Sequence, residues 1–222
     1  MTPAAPAICL AQEPEADALL TRDPLALLIG MVLDQQFPLE RAFAGPWVLT
    51  QRLGHTPDAA ELASYDPGAL AAVFAKPPCI HRFPGSMAAR VQQMCARVVE
   101  EYGGDAAAVW AGAGSGEELL SRLRALPGFG EQKARIFVAL LGKQLGVRPP
   151  GWREAAGIYG EDGARRSVAD IVGPDSLLEV RAYKQQMKAA AKQASAASPS
   201  STASPRSAAK QAAAKPRSKR KP

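Results

Sequence analysis

The sequence predicts an all-α protein on three observations. Candidate N-cap residues stand directly before prolines at Asp23-Pro24, Thr56-Pro57 and Asp66-Pro67, the pairing that opens a helix. Several segments repeat apolar residues at three- and four-residue spacing. No stretch alternates apolar and polar residues as a half-buried strand does.

In chain order, LALLIGMVLDQQ after Asp23-Pro24 is nearly all apolar and long enough for a buried helix. Leu39 to Leu53 is helical in pattern, with an interruption expected at Gly45-Pro46 and Gly54 able to close it. Ser86 to Tyr102 sets Met87, Val91, Met94, Cys95, Val98 and Tyr102 on one stripe, with Arg90, Arg97, Glu100 and Glu101 elsewhere. Gly103-Gly104 ends that helix. Glu117–Ala125 and Glu131–Gln144 are two more, and a last helix is expected from Ser176 to about Lys192. The expectation is about eight or more helices.

The chain has 222 residues, 47% hydrophobic and only 6% aromatic, enough for one domain with a sizeable core. No run of about 18 apolar residues occurs, so no membrane span is expected. The first twenty residues lack the basic start of a secretory leader. Cys9, Cys79 and Cys95 are too few and too widely spaced for a disulfide framework or a CxxC-type metal site. A cytoplasmic, nucleoid-associated monomer is expected.

The net charge of +6 belongs to one end of the chain. Eight of the 27 basic residues lie between Ala189 and Pro222, where there is no acid, which leaves 19 basic against 21 acidic residues before Ala189. The stretch 189–222 is rich in Ala, Ser, Pro and Lys and has no large apolar residue, so it is expected to be disordered, from roughly Gln193 onward. The globular part is then about residues 10–188. A flexible arm carrying Lys215, Arg217, Lys219, Arg220 and Lys221 can neutralise phosphates without reading sequence, and each contact makes the affinity fall by about 0.9 log units per log unit of salt.

The most informative segment is EELLSRLRALPGFGEQKARIFVALLG. Two amphipathic helices are joined by Leu126-Pro127-Gly128-Phe129-Gly130. Proline stops the first helix, the glycines permit positive φ, and the free amide groups of the second helix meet at the turn, which suits a phosphate oxygen. Leu119, Leu123, Leu126 and Phe129, with Ile136, Phe137 and Leu140, would pack the pair.

The whole LPGFGxxxA pattern resembles the helix-hairpin-helix of base-excision DNA repair proteins, the HhH-GPD superfamily. LLIGMVLDQQFPLERAF resembles the early buried helix and following turn of the same superfamily. In the 3-methyladenine glycosylase branch that helix ends in a Gly-Gln-Gln-like element, which is Asp34-Gln35-Gln36 here. FPGSMAARVQQMCARVVEEYGGD resembles the helix before the hairpin. The resemblance covers about Asp23 to Leu145.

It implies double-stranded, damaged DNA as partner and a base flipped into a pocket. Gly128 and Gly130 would grip the backbone, with Lys133 near a phosphate. Gln36, or next to it Gln35, would fill the gap in the duplex, and Gln132 would border the pocket. The superfamily's lyase lysine falls at Gln132, so a lyase step is not expected. Its catalytic aspartate has no counterpart: no acid occurs from Ala134 to Arg153, and Glu154 is the first candidate. No iron–sulfur cluster is implied, since no cysteine follows Cys95; hairpins of this superfamily often bind a monovalent cation through backbone carbonyls. No other cofactor or metal is expected. The implied activity is a monofunctional DNA N-glycosylase; the alternative is a non-catalytic protein that recognises distorted DNA. Trp152 and Tyr159 could stack on a base or fill the core, and the core is expected. Cys79 and His81 could be a ligand or nucleophile–base pair, but an ordered loop lining a cleft is expected, with Arg82 able to reach a phosphate.

Overall fold

A computed structural model describes residues 8–197, and these form ten α-helices, three short 3-10 turns and no strand. The all-α class is as the periodicity predicts. Two units divide the chain, Met1–Gln186 and Met187–Pro222. None of the described helices is long and apolar enough to cross a membrane.

The chain enters through α1 (Pro14–Arg22), whose buried Asp17 accepts the amide protons of Leu10 at 2.9 Å and Ala11 at 2.7 Å. That carboxylate pins the incoming strand of backbone to the helix. α2 (Pro24–Leu33) follows after a one-residue joint, with Asp23 accepting from the Leu25 amide at 2.9 Å. Every residue of α2 from Leu25 to Leu33 is buried. It stops at Leu33, so Asp34-Gln35-Gln36 is a loop rather than a last helical turn.

α3 (Leu39–Leu53) is continuous through Gly45-Pro46, against the interruption expected from proline. Tertiary packing overrides it. A Cβ on Gly45 would lie 2.4 Å from Leu33 and 3.3 Å from Ile80, so the bare glycine lets α2 and the Ile80 loop close on α3 around Pro46. Gly54, at φ +82°, closes the helix.

α4 (Ala59–Ser64) opens at Asp58 and not at Thr56, because the Asp58 carboxylate reaches the Glu61 amide at 2.8 Å. α5 (Pro67–Ala75) opens at Asp66 as expected, accepting from Ala69 at 2.7 Å. α6 (Pro84–Tyr102) buries Met87, Val91, Met94, Cys95 and Val98 against α4, α5 and α2, with Tyr102 half-buried at the end of the stripe.

The second group is α7 (Gly116–Arg124), α8 (Glu131–Gln144) and α9 (Trp152–Ala156), packed on one another. The Phe129 ring meets Phe137 edge-on at 5.6 Å, and Phe137 meets Trp110 at 5.7 Å. Trp152 lies in the core, directly over Gly142. Beyond α9, the buried Gln144 amide donates to the carbonyls of Val168, Ala169 and Ile171 at 3.0–3.3 Å, and Lys143 pairs with buried Asp170 at 2.6 Å. These contacts tie the approach to the last helix onto α8.

α10 (Pro174–Ala197) runs past Lys192, into the stretch expected to be disordered. KAAAKQASAA is rich in alanine, the best helix former, so local propensity favours continuing the helix there. The rest of the basic arm lies outside the described residues.

Gly116 offers a test of how tightly α7 and α9 are joined. A Cβ there would sit 2.4 Å from the Gly151 carbonyl oxygen and 2.6 Å from the Trp152 Cα, backbone atoms that cannot rotate away. Gly116→Ala is expected to lower stability by about 1–3 kcal/mol in urea denaturation. Gly85→Ala, where nothing lies within 4 Å, is expected to be neutral or slightly stabilising.

Candidate functional site

The end of α2, the loop before α6 and the α7–α8 hairpin meet at one place. After Leu33 the backbone turns sharply, and Gln36 sits at φ +50°, a left-handed conformation that non-glycine residues seldom adopt. Side chains from elsewhere hold it there. His81, fully buried, lies 3.0 Å by its Nε2 from the Gln35 carbonyl. The Phe83 amide donates to His81 Nδ1 at 3.1 Å. An accepting Nδ1 leaves the proton on Nε2, so the ring is neutral and donates to Gln35. Its ring packs at a tilt against Phe37, with the ring centroids 4.6 Å apart.

Gln35 is bound at both ends of its amide. Its Oε1 accepts from Arg90 at 2.8 Å, and its Nε2 donates to the Val32 carbonyl at 2.8 Å. Gln36 differs: it is exposed, and its side chain makes no hydrogen bond among the described residues. Arg82 comes to 3.5 Å of the Gln36 carbonyl, the limit of hydrogen-bond range.

The hairpin approaches from the other side of Arg90. Gly128 has φ +93°, and a Cβ there would fall 3.1 Å from Arg90 Cδ and 3.3 Å from Val32. Gly130 is the N-cap of α8, exposed, with no side chain capping it. The first-turn amide groups of α8 have no acceptor among the described residues. Glu131 flanks them but is paired with Arg124 at 2.9 Å and Arg135 at 2.6 Å.

Lys133 does not point to the turn, as a phosphate-binding lysine there would. Its ammonium reaches back to α2 and donates to the carbonyls of Met31 and Val32, the latter at 3.2 Å. The cause is the third position of α8, which faces α2, and the negative end of the α2 dipole. Burial lowers its pKa to about 8; the charge of Arg90 adds to this and that of Asp34 opposes it.

Asp34 is half-buried at the carboxyl end of α2. Burial raises its pKa, and the opposing positive charges are Lys184 of α10 and Lys133. It accepts no hydrogen bond and belongs to no ion pair among the described residues. Spacing alone gave no sign of this carboxylate. The available signal was an acid directly after nine apolar residues, where the helix dipole disfavours negative charge.

The other expected residues fall as follows. Gln132 is exposed and donates to the Tyr159 hydroxyl at 2.9 Å. Glu154 is exposed in the first turn of α9. Trp152 is a core residue, with the Arg153 guanidinium stacked on its ring at 4.7 Å. Cys79 donates to the Ala75 carbonyl at 3.2 Å, and both His81 nitrogens are used by backbone, so the two form no reactive pair. Among the described residues no group of three His, Cys, Asp or Glu could hold a metal. Lys215, Arg217, Lys219, Arg220 and Lys221 lie outside the described residues.

Comparison with known families, curated proteins and solved structures finds no match to this chain.

The neutral His81 predicts a pH dependence. Burial holds its pKa below the usual 6.5. The unfolded chain therefore takes up a proton first as the pH falls, and stability that is complete above about pH 6.5 is lost below it. Exposed His55, raised by Glu61 beside it, acts in the opposite sense. It is present in both proteins compared, so the difference isolates His81. The thermal stability of the wild type relative to His81→Gln is expected to shrink from pH 7.5 to 5.

Proposed function

We propose that this protein binds damaged double-stranded DNA in the manner of the HhH-GPD superfamily and releases a flipped base as a monofunctional N-glycosylase. One observation carries the reading. A turn with unbonded amide groups and an exposed, unbonded Gln36 at positive φ are fastened together by the Lys133, Gln35 and Arg90 contacts. A phosphate at the hairpin and a wedge in the duplex need a fixed separation, which such a junction provides.

Hairpin amides from Gly130 to Lys133 would take the phosphate, and Gln36 would enter the gap left by the flipped nucleotide. Gln132 has no amine, and Lys133 is held on α2, so neither is set to attack the sugar. The basic arm adds affinity that does not depend on sequence. A non-catalytic DNA-binding reading is favoured by the exposure of Glu154 on the surface of α9.

Duplexes carrying uracil, hypoxanthine, 3-methyladenine, 8-oxoguanine or thymine glycol test this directly. Release of one base without strand cleavage, and no covalent complex on borohydride treatment, is expected. Binding with no release from any of them favours the non-catalytic reading for those lesions.

Gly128→Ala tests the hairpin. Positive φ and contacts at 3.1–3.3 Å make any side chain strained there, at a cost of about 1–3 kcal/mol. The variant is expected to lose stability by that order and to bind duplex more weakly, read by denaturation and by fluorescence anisotropy.

A further inference from the structure

The geometry points to Asp34 as the carboxylate that faces the sugar of the extruded nucleotide and carries the hydrolysis, a role that rests on the glycosylase reading above. Three observations converge on it. Asp34 is half-buried yet unpartnered among the described residues, at the end of a helix whose dipole disfavours it. A carboxylate in that position has a structural cost and no structural use, since Lys133 bonds to the α2 carbonyls and pairs with no acid. Second, it stands two residues from Gln36, within about 7 Å along the chain, so a wedge at Gln36 brings Asp34 beside the nucleotide displaced by that wedge. Third, the charge of Lys133 reaches it from the hairpin helix and that of Lys184 from α10. The carboxylate lies beside the junction of the phosphate-binding turn and the wedge loop, where Lys133 of α8 bonds the Met31 and Val32 carbonyls just before it. Glu154, the acid that the family resemblance suggested, has no such setting.

In the reaction, the bond from C1′ to the base nitrogen breaks and its electron pair leaves with the base, which takes a proton from solvent. The Asp34 carboxylate faces the positive charge that develops on the sugar ring. Water adds to C1′, and its proton passes to Asp34 and then to solvent. Water is the only co-reactant, and no covalent intermediate with the protein forms.

The test needs no knowledge of the lesion. The full-length protein is titrated with two duplexes, one carrying a pyrrolidine abasic analogue, cationic in the sugar ring, the other its neutral tetrahydrofuran counterpart. The wild type is expected to bind the cationic duplex about tenfold or more tightly over the neutral one, a difference of about 1.4 kcal/mol. Asp34→Asn is expected to abolish this preference while binding the tetrahydrofuran duplex as the wild type does, which also shows that it is folded. Glu154→Gln is expected to keep the preference. A wild type that binds both duplexes equally overturns the role of Asp34 and leaves DNA binding intact. A preference that survives Asp34→Asn and disappears in Glu154→Gln overturns it in favour of Glu154, with the glycosylase reading standing. Failure to bind either duplex overturns the DNA-binding reading itself.

Discussion

A helix buried along its whole length leaves its last carbonyl groups without helical partners, and each one left bare in the interior costs about 1–3 kcal/mol. α2 is such a helix, and its end is fully answered. The Gly30 carbonyl accepts from the Asp34 amide and Leu33 from the Gln35 amide. Met31 and Val32 accept from the Lys133 ammonium, and Val32 also from the Gln35 side chain. Three of these donor groups come from Asp34 and Gln35 in the loop that follows, and one comes from a helix a hundred residues later in the chain. Satisfying α2 therefore also fastens the α7–α8 hairpin to the Asp34-Gln35-Gln36 loop.

The same economy runs through the neighbours of that junction. Arg90, on the polar side of α6, bonds Gln35 and supports Gly128 with its aliphatic stem, so one side chain touches both the loop and the turn. His81 uses one nitrogen to hold Gln35 and the other to receive Phe83, which makes the α2 loop and the entry to α6 a single hydrogen-bonded unit. The strained backbone at Gln36 persists because these contacts over-determine it, while its own side chain is left without a partner.

Charge is arranged unevenly around this unit. Asp34 and Lys133 lie close enough to shift each other, yet the lysine bonds to carbonyl groups and the carboxylate to nothing among the described residues. Burial pushes both toward their neutral forms. Elsewhere in the described residues the acids are mostly paired or used as caps: Glu131 with two arginines and Glu40 with Arg181 toward the surface, and buried Asp170 with Lys143. Asp34 is set apart from them by its burial without a partner.

The sequence by itself determined the helical class, the α8 boundaries, the start of α5 and the close of α3, because caps, prolines and 3.6-residue periodicity act within a few residues of chain. It also marked the hairpin glycines and the glutamine pair, whose backbone chemistry is local. It misread Pro46 as a break, since the packing of Leu33 and Ile80 over Gly45 lies far away in the chain. It expected disorder from roughly Gln193 onward, where alanine propensity carries α10 to Ala197. The direction of Lys133, the neutral state of His81 and the isolation of Asp34 were decided by tertiary structure alone. Each depends on which distant groups surround a side chain, and burial, hydrogen-bond partners and nearby charge are fixed only once α2, α6, α8 and α10 have come together.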